Sequence, residues 1–222
     1  MTETLANFQA QLRSEDMGVR MRVLNLARVL PDSDRFTLAV EAIKDGNARI
    51  RYDAVSQMAT LGHIDPNLSL EILVDRLMRD SENDVKAAAA DSISALKLTA
   101  GFDDLITAFR ATNDWMLQFS IIAALGELGD GRGFDLLQEC LTHPTDLVRI
   151  AAVGALGDLG DARALPLLLP LVHDEDWQIR HRTAQSLYRL GGEPAKAAIT
   201  GLLDDPISQV AEAAKVFLTM MA

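Results

Sequence analysis

The sequence predicts an all-α fold, a solenoid (superhelix) of about seven helix–turn–helix repeats of ~31 residues that form one domain over residues 1–222. Three observations lead there. A short register, an aliphatic residue followed in five of seven cases by a basic one, recurs along the chain. Each recurrence is followed by apolar residues at helical spacing, and five of the seven then by a glycine or proline that stops a helix.

With Arg149 as position zero, the equivalents are Arg20, Arg51, Lys86, Gln118, Arg180 and Ala211, giving gaps of 31, 35, 32, 31, 31 and 31 residues. One place earlier stands an aliphatic residue every time: Val19, Ile50, Val85, Leu117, Val148, Ile179 and Val210. Position +3 is small or apolar (Val23, Ala54, Ala89, Ile121, Ala152, Thr183, Ala214), and +7 and +10 are almost all large and apolar, as at Leu156 and Leu159. Steps of 4, 4 and 3 residues trace one stripe down an α-helix and do not fit the alternation of a strand.

Position +11 supplies the stop, with Pro31, Gly62, Lys97, Gly129, Gly160 and Gly191. Position −6 supplies the turn before the helix, with Ser14, Asp45, Asp80, Thr112, His143, Asp174 and Asp205, side chains able to accept from free N–H groups. Between each stop and the next turn lies a second apolar segment, such as Phe134–Gln138 or Ala164–Leu168. Each repeat is therefore helix A, a turn and helix B, and only stacking against neighbours buries its stripe. The 35-residue gap carries extra residues around Gly62–Pro66, read as a longer loop in preference to a local bend.

Composition narrows the function. With 21 basic and 32 acidic residues the net charge is −11, which disfavours counterion-driven nucleic-acid binding and attraction to an anionic membrane. The lone Cys140 forms no internal disulfide, and its apolar helix A setting predicts a buried, inert thiol. No apolar run approaches the roughly 20 residues that span a bilayer, and Met1–Gln11 has no signal-type core, so a cytoplasmic protein is expected. His63, His143 and His173 fall in turns, where capping explains them. No His-Glu pair suggests a metal site, and no phosphate loop or Ser-His-Asp set is legible.

The pattern Asp-x-Asp-x-x-Val/Ile-Arg, then an Ala-rich helix and Leu-Gly-x-Leu-Gly-Asp, resembles the short HEAT-like repeat of the phycobilin-lyase family. It is fullest at Asp174–Gly191 and, with substitutions, at Thr142–Asp161. The stretches Arg49–Gln57, Asp84–Ser92, Phe119–Ala123 and Asp176–Arg180 are similar to members of that family that act in phycobilisome degradation in cyanobacteria. The resemblance implies phycobiliprotein partners (phycocyanin, allophycocyanin), phycocyanobilin as ligand or substrate with no intrinsic cofactor, and a location at the thylakoid surface through phycobilisomes. It also implies a lyase-like action that loosens or detaches the bilin, and it carries over no catalytic residue. The alternative is a non-catalytic scaffold for protein–protein interaction.

If helix B lines the binding side and positions −1, +3, +7 and +10 are buried, the open face holds +1, +2, +5 and +9. That face contains Tyr52, Asp53, Asp91, Phe119, Glu127, Asp158, His181, Arg182 and Gln185, with Tyr188 at its edge. Around Ile150, Ala151 and Gly154 it reads as bare, with room for a partner. Asp53 or Asp91 suits pyrrole N–H donors, Arg182 and His181 suit propionates, and Phe119 and Tyr188 suit stacking. His181, Tyr52 or Asp53 qualify as proton donor or base. The plainer reading is a solvated polar face. The arginines at position zero (Arg51, Arg149, Arg180) are expected to bridge the acidic turns of neighbouring repeats, ahead of binding an anion. Trp115 and Trp177 fit either an exposed contact anchor or packing between A and B helices.

Overall fold

A computed structural model describes residues 4–221. These residues form helices and turns with no strand among them, and they pack as two compact units, 1–121 and 122–222, with the division inside helix Trp115–Leu128. Unit 1 contains α1 (Leu5–Leu12), α2 (Met17–Leu26), α3 (Asp32–Ala42), α4 (Ala48–Leu61), α5 (Pro66–Arg79), α6 (Asn83–Ala95), α7 (Phe102–Ala111) and the start of α8 (Trp115–Leu128). Unit 2 continues with α9 (Phe134–Cys140), α10 (Asp146–Leu159), α11 (Leu165–Leu168), α12 (Trp177–Leu190), α13 (Glu193–Thr200) and α14 (Ser208–Met220). Odd-numbered helices are the A members of the pairs and even-numbered helices the B members.

The apolar stripe read from the sequence is the core. Position +3 is buried in all seven B helices, and −1 and +7 are buried in nearly all. Consecutive B helices also lie side by side, α4 on α6 in unit 1, and α10 on α12 and α12 on α14 in unit 2. That neighbouring buries +4 and +6 as well, at Val55 and Ser92, and at Val153 and Ser186. Leu156, at the centre of α10, has no exposed surface.

The helix stops behave as their chemistry requires at four of the +11 positions. Lys97, Gly129, Gly160 and Gly191 have φ of 55°, 75°, 68° and 69°, the positive-φ backbone that breaks off a helix. Gly160 takes the left-handed turn, while Gly191, with ψ of −169°, leaves the helix extended. Gly62 stays right-handed and leads into a short 3-10 turn, Gly62–Ile64. The extra residues after it do not lengthen a loop. Asp65 caps α5 by accepting from the Leu68 N–H, Pro66 starts it, and α5 runs 14 residues to the edge of the next turn, against 11 in α3 and 7 in α9. Leu73 and Leu77 bury one continuous face of α5, so about one added turn of helix is more favourable than four more loop residues.

The turns before the B helices are two-tiered. Each residue at −6 accepts from the N–H two places on: Asp16 to Ser14, Asn47 to Asp45, Glu82 to Asp80, Asp114 to Thr112, Thr145 to His143, Asp176 to Asp174 and Ile207 to Asp205. The helix itself is capped from −4, where Asp16, Asn47, Asp114 and Asp176 accept from its first N–H groups. The −6 side chains thus hold the turn, as the sequence predicts, and the free N–H groups they meet belong to the turn and not to the first turn of the helix.

Candidate functional site

The arginine ladder is structural where it forms. Arg51 Nε and Nη2 donate to both Asp80 oxygens at 2.8 and 2.7 Å, while Nη1 reaches the Asp45 carbonyl at 3.0 Å. Arg20 makes the same fork to Asp45, and Arg180 makes it to Asp205. Burial alone would raise the Asp80 carboxyl, but Arg51 and the Glu82 N–H hold it below the usual carboxylate range. Arg149 departs from this plan. Nη2 pairs with Asp146 of its own helix at 2.7 Å and Nη1 binds the His143 carbonyl. The residues three before Arg20, Arg51 and Arg180 are Met17, Ala48 and Trp177, which offer no such carboxylate.

With those arginines spent on the fold, the open B-helix face carries the remaining chemistry. In unit 1 it encloses a cavity of about 470 Å³ between α4, α6 and the start of α8. Tyr52 and Asp91 line it with Arg49, Glu82, Asp84, Met116 and Ser120, over a floor that includes Ala87 and Ala88. Arg49 sits 5.5 Å from the centroid of the Tyr52 ring and pairs with Asp53 at 3.6 Å, so Asp53 flanks the cavity through that arginine. Phe119 is half-buried on α8 and is not part of the cavity wall. Arg49, Asp84 and Met116 stand at −2, one helical step from +1, and that spacing is the signal by which the sequence could have placed them on this face.

In unit 2 the remaining candidates follow the α10–α12 seam. Arg182 is half-buried, and its Nη1 donates to Gln185 Oε1 at 2.8 Å. The space expected over Gly154 is not free. A Cβ built there would lie 2.7 Å from Arg182 Nε, so the next helix fills what looks bare from α10 alone. Asp158 pairs with Arg189 of α12. Tyr188 stacks on Phe217 of α14, with ring centroids 5.1 Å apart and an interplanar angle of 15°, which occupies one face of a ring expected to stack on a ligand. His181 is half-buried beside Arg182. The structure therefore groups Tyr52, Asp53 and Asp91 in unit 1, and His181, Arg182, Asp158 and Tyr188 in unit 2.

A larger cavity, about 910 Å³, lies on the A-helix side of unit 1 and is lined by Val40, Ile43, Leu70, Val74 and Met78 among others. Its Asp75 is paired with Arg76 and Arg79, and the wall is otherwise mainly aliphatic. The smaller B-side cavity is the better candidate because tyrosine, carboxylate and guanidinium groups meet there. Trp115 and Trp177 are 44% and 39% exposed, with Met116 and Leu147 also open to solvent, so the tryptophans lie on the surface and not between A and B helices. Cys140 is buried, and no His/Cys/Asp/Glu cluster able to hold a metal occurs among the described residues. No helix there is long and apolar enough to cross a membrane.

Comparison with known proteins agrees with this architecture. The HEAT-repeat profile matches residues 70–153 and 135–217. No curated protein matches the chain. Among solved structures, the complex of CpcE and CpcF of phycocyanin lyase from Nostoc sp. PCC7120 is similar at TM-score 0.64 and 21% identity, covering 100% of this chain and 96% of that one. An engineered protein is similar at TM-score 0.63 and 17% identity (99% and 68% covered), and the E. coli protein YibA at 0.59 and 13% (98% and 93%). At these identities the structural likenesses establish the fold.

Proposed function

This chain belongs to the HEAT-repeat family, and from that premise we propose that it binds phycobiliproteins through its B-helix faces and loosens or detaches their phycocyanobilin, in the manner of the phycobilisome degradation protein NblB. The observation that carries the reading is the unit 1 cavity, where an aromatic ring, carboxylates and one guanidinium surround a small-residue floor. A bilin presents pyrrole N–H donors on an apolar conjugated plane. Asp91 is suited to accept from them, and Tyr52 and Met116 to cover the rings. On unit 2, Arg182 and His181 are suited to carboxylates such as bilin propionates. Fold likeness to a phycocyanin lyase complex and the repeat pattern at Asp174–Gly191 support the same substrate class. Phycocyanin and allophycocyanin are the partners this implies, met in the cytoplasm or at the thylakoid surface.

The test is to mix the purified protein with intact phycocyanin and follow the visible spectrum. Fading of the bound-chromophore band with free bilin released is expected. Complex formation with an unchanged spectrum would refute chromophore detachment and leave the second reading, a non-catalytic adaptor. Exposure of Trp115, Met116, Leu147 and Trp177 favours that second reading, because open aromatic and aliphatic side chains of this kind anchor protein interfaces.

A further inference from the structure

We propose that Gly154 is a positioning residue that seats the Arg182 guanidinium as a carboxylate clamp on the B-helix face of unit 2. Three helix-interior glycines of this unit allow the comparison. A Cβ at Gly126 would lie 2.5 Å from the Ala155 Cα, and one at Gly157 would lie 2.6 Å from the Ser186 Cα. Those two glycines let neighbouring backbones approach. At Gly154 the three nearest atoms all belong to the Arg182 side chain: Nε at 2.7 Å, Cζ at 3.0 Å and Cδ at 3.3 Å. The missing methyl makes room for a guanidinium and not for a helix.

The seated group keeps its charge available. Arg20, Arg51, Arg180 and Arg189 each pair with a carboxylate, whereas Arg182 is held by the neutral Gln185 amide oxygen. Among the described residues no carboxylate pairs with Arg182, and the half-buried side chain keeps solvent contact, so its charge is not spent on a partner within the fold. A planar, fixed fork of N–H donors matches a carboxylate, and holding it in one rotamer lowers the entropy lost on binding. A glycine inside a helix ordinarily costs stability relative to alanine, so this position trades stability for an open seat.

The ligand tested is a bilin propionate, which rests on the function proposed above. Phycocyanobilin and its dimethyl ester are titrated against the full chain by absorbance, with thermal melting of each variant alongside. We expect the free acid to bind about tenfold or more tightly than the diester, the effect of one charge-assisted hydrogen bond set. In Arg182→Gln and Gly154→Ala that ratio falls toward one, while Gly154→Ala melts at or above the wild-type temperature. Arg182→Lys retains part of the ratio. An unchanged ratio in Gly154→Ala, or a lowered melting temperature, would make the glycine structural and overturn the seat. Equal binding of acid and diester to the wild type overturns the clamp alone. Binding of neither overturns the bilin reading and the clamp together.

Discussion

In unit 1 the Ser92 hydroxyl of α6 donates to the Val55 carbonyl of α4 at 2.9 Å; in unit 2 the Ser186 hydroxyl of α12 donates to the Val153 carbonyl of α10 at 2.8 Å. Donor and acceptor occupy +6 and +4 in both cases, so the two seams are built alike. The faces beside them differ. Positions +1 and +2 are Tyr52 and Asp53 on α4 but His181 and Arg182 on α12, and +5 is Asp91 on α6 but Gln185 on α12. One set of register positions is reused to stack helices, while the other is free to carry unlike chemistry: aromatic and acidic in unit 1, cationic in unit 2. Substitutions in the two sets should therefore separate cleanly, with stability moving in one and binding in the other.

The strongest challenge to that separation lies in the buried ladder. Asp80 has no exposed side-chain surface and receives Arg51, Arg76 and the Glu82 N–H. Asp80→Ala leaves a buried guanidinium uncompensated and is expected to cost about 3–5 kcal/mol in urea unfolding. Leu156→Ala, a large-to-small change at a fully buried position, is expected to cost about 2–5 kcal/mol. A loss under about 1 kcal/mol for either would mean that the shared positions do not hold the stack.

The seam serines give a smaller and more discriminating measurement. Ser92→Ala and Ser186→Ala should each cost about 1 kcal/mol, because each removes one buried hydrogen bond to a backbone carbonyl. Values that differ by more than the cost itself would show that the seams only look equivalent. Acid acts on the ladder through the same carboxylates. Asp45, Asp80 and Asp205 titrate below their ordinary value in the fold, so their contribution is complete above the unfolded aspartate value of about 3.9. It is lost as pH falls below that value toward the lower folded ones. Asp80→Ala should flatten this acid dependence in a pH series of melting curves.

Legibility in the sequence follows the same division. The core stripe could be read because −1, +3 and +7 repeat in seven registers with no competing period. The seam could not, because Gly157, Ala155 and Ser186 are too small to announce which helix they touch. Four extra residues in one repeat fix a length and not a conformation, so the added turn of α5 looked like loop. The face was found by elimination, which places Tyr52 and Asp91 correctly on one side of their helices. Elimination sees one helix at a time, however. Gly154 looked bare because the side chain that fills its space, Arg182, belongs to the next B helix.

The smallest expected stability effects belong to the faces, where the separation is sharpest. Asp91→Asn changes charge without changing shape at an exposed position in the cavity wall, and should shift unfolding by no more than about 0.5 kcal/mol. Tyr52→Phe, beside it, should be equally mild. Phycocyanin affinity, measured by fluorescence anisotropy, should fall severalfold for Asp91→Asn if the carboxylate accepts from the partner, since an amide is the weaker acceptor. Arg182→Gln should reduce affinity without the same response to Asp91→Asn, because it lies on the other unit. If Asp91→Asn instead destabilises the chain by as much as Ser92→Ala, then +5 belongs with the stacking positions, and the unit 1 face is scaffold.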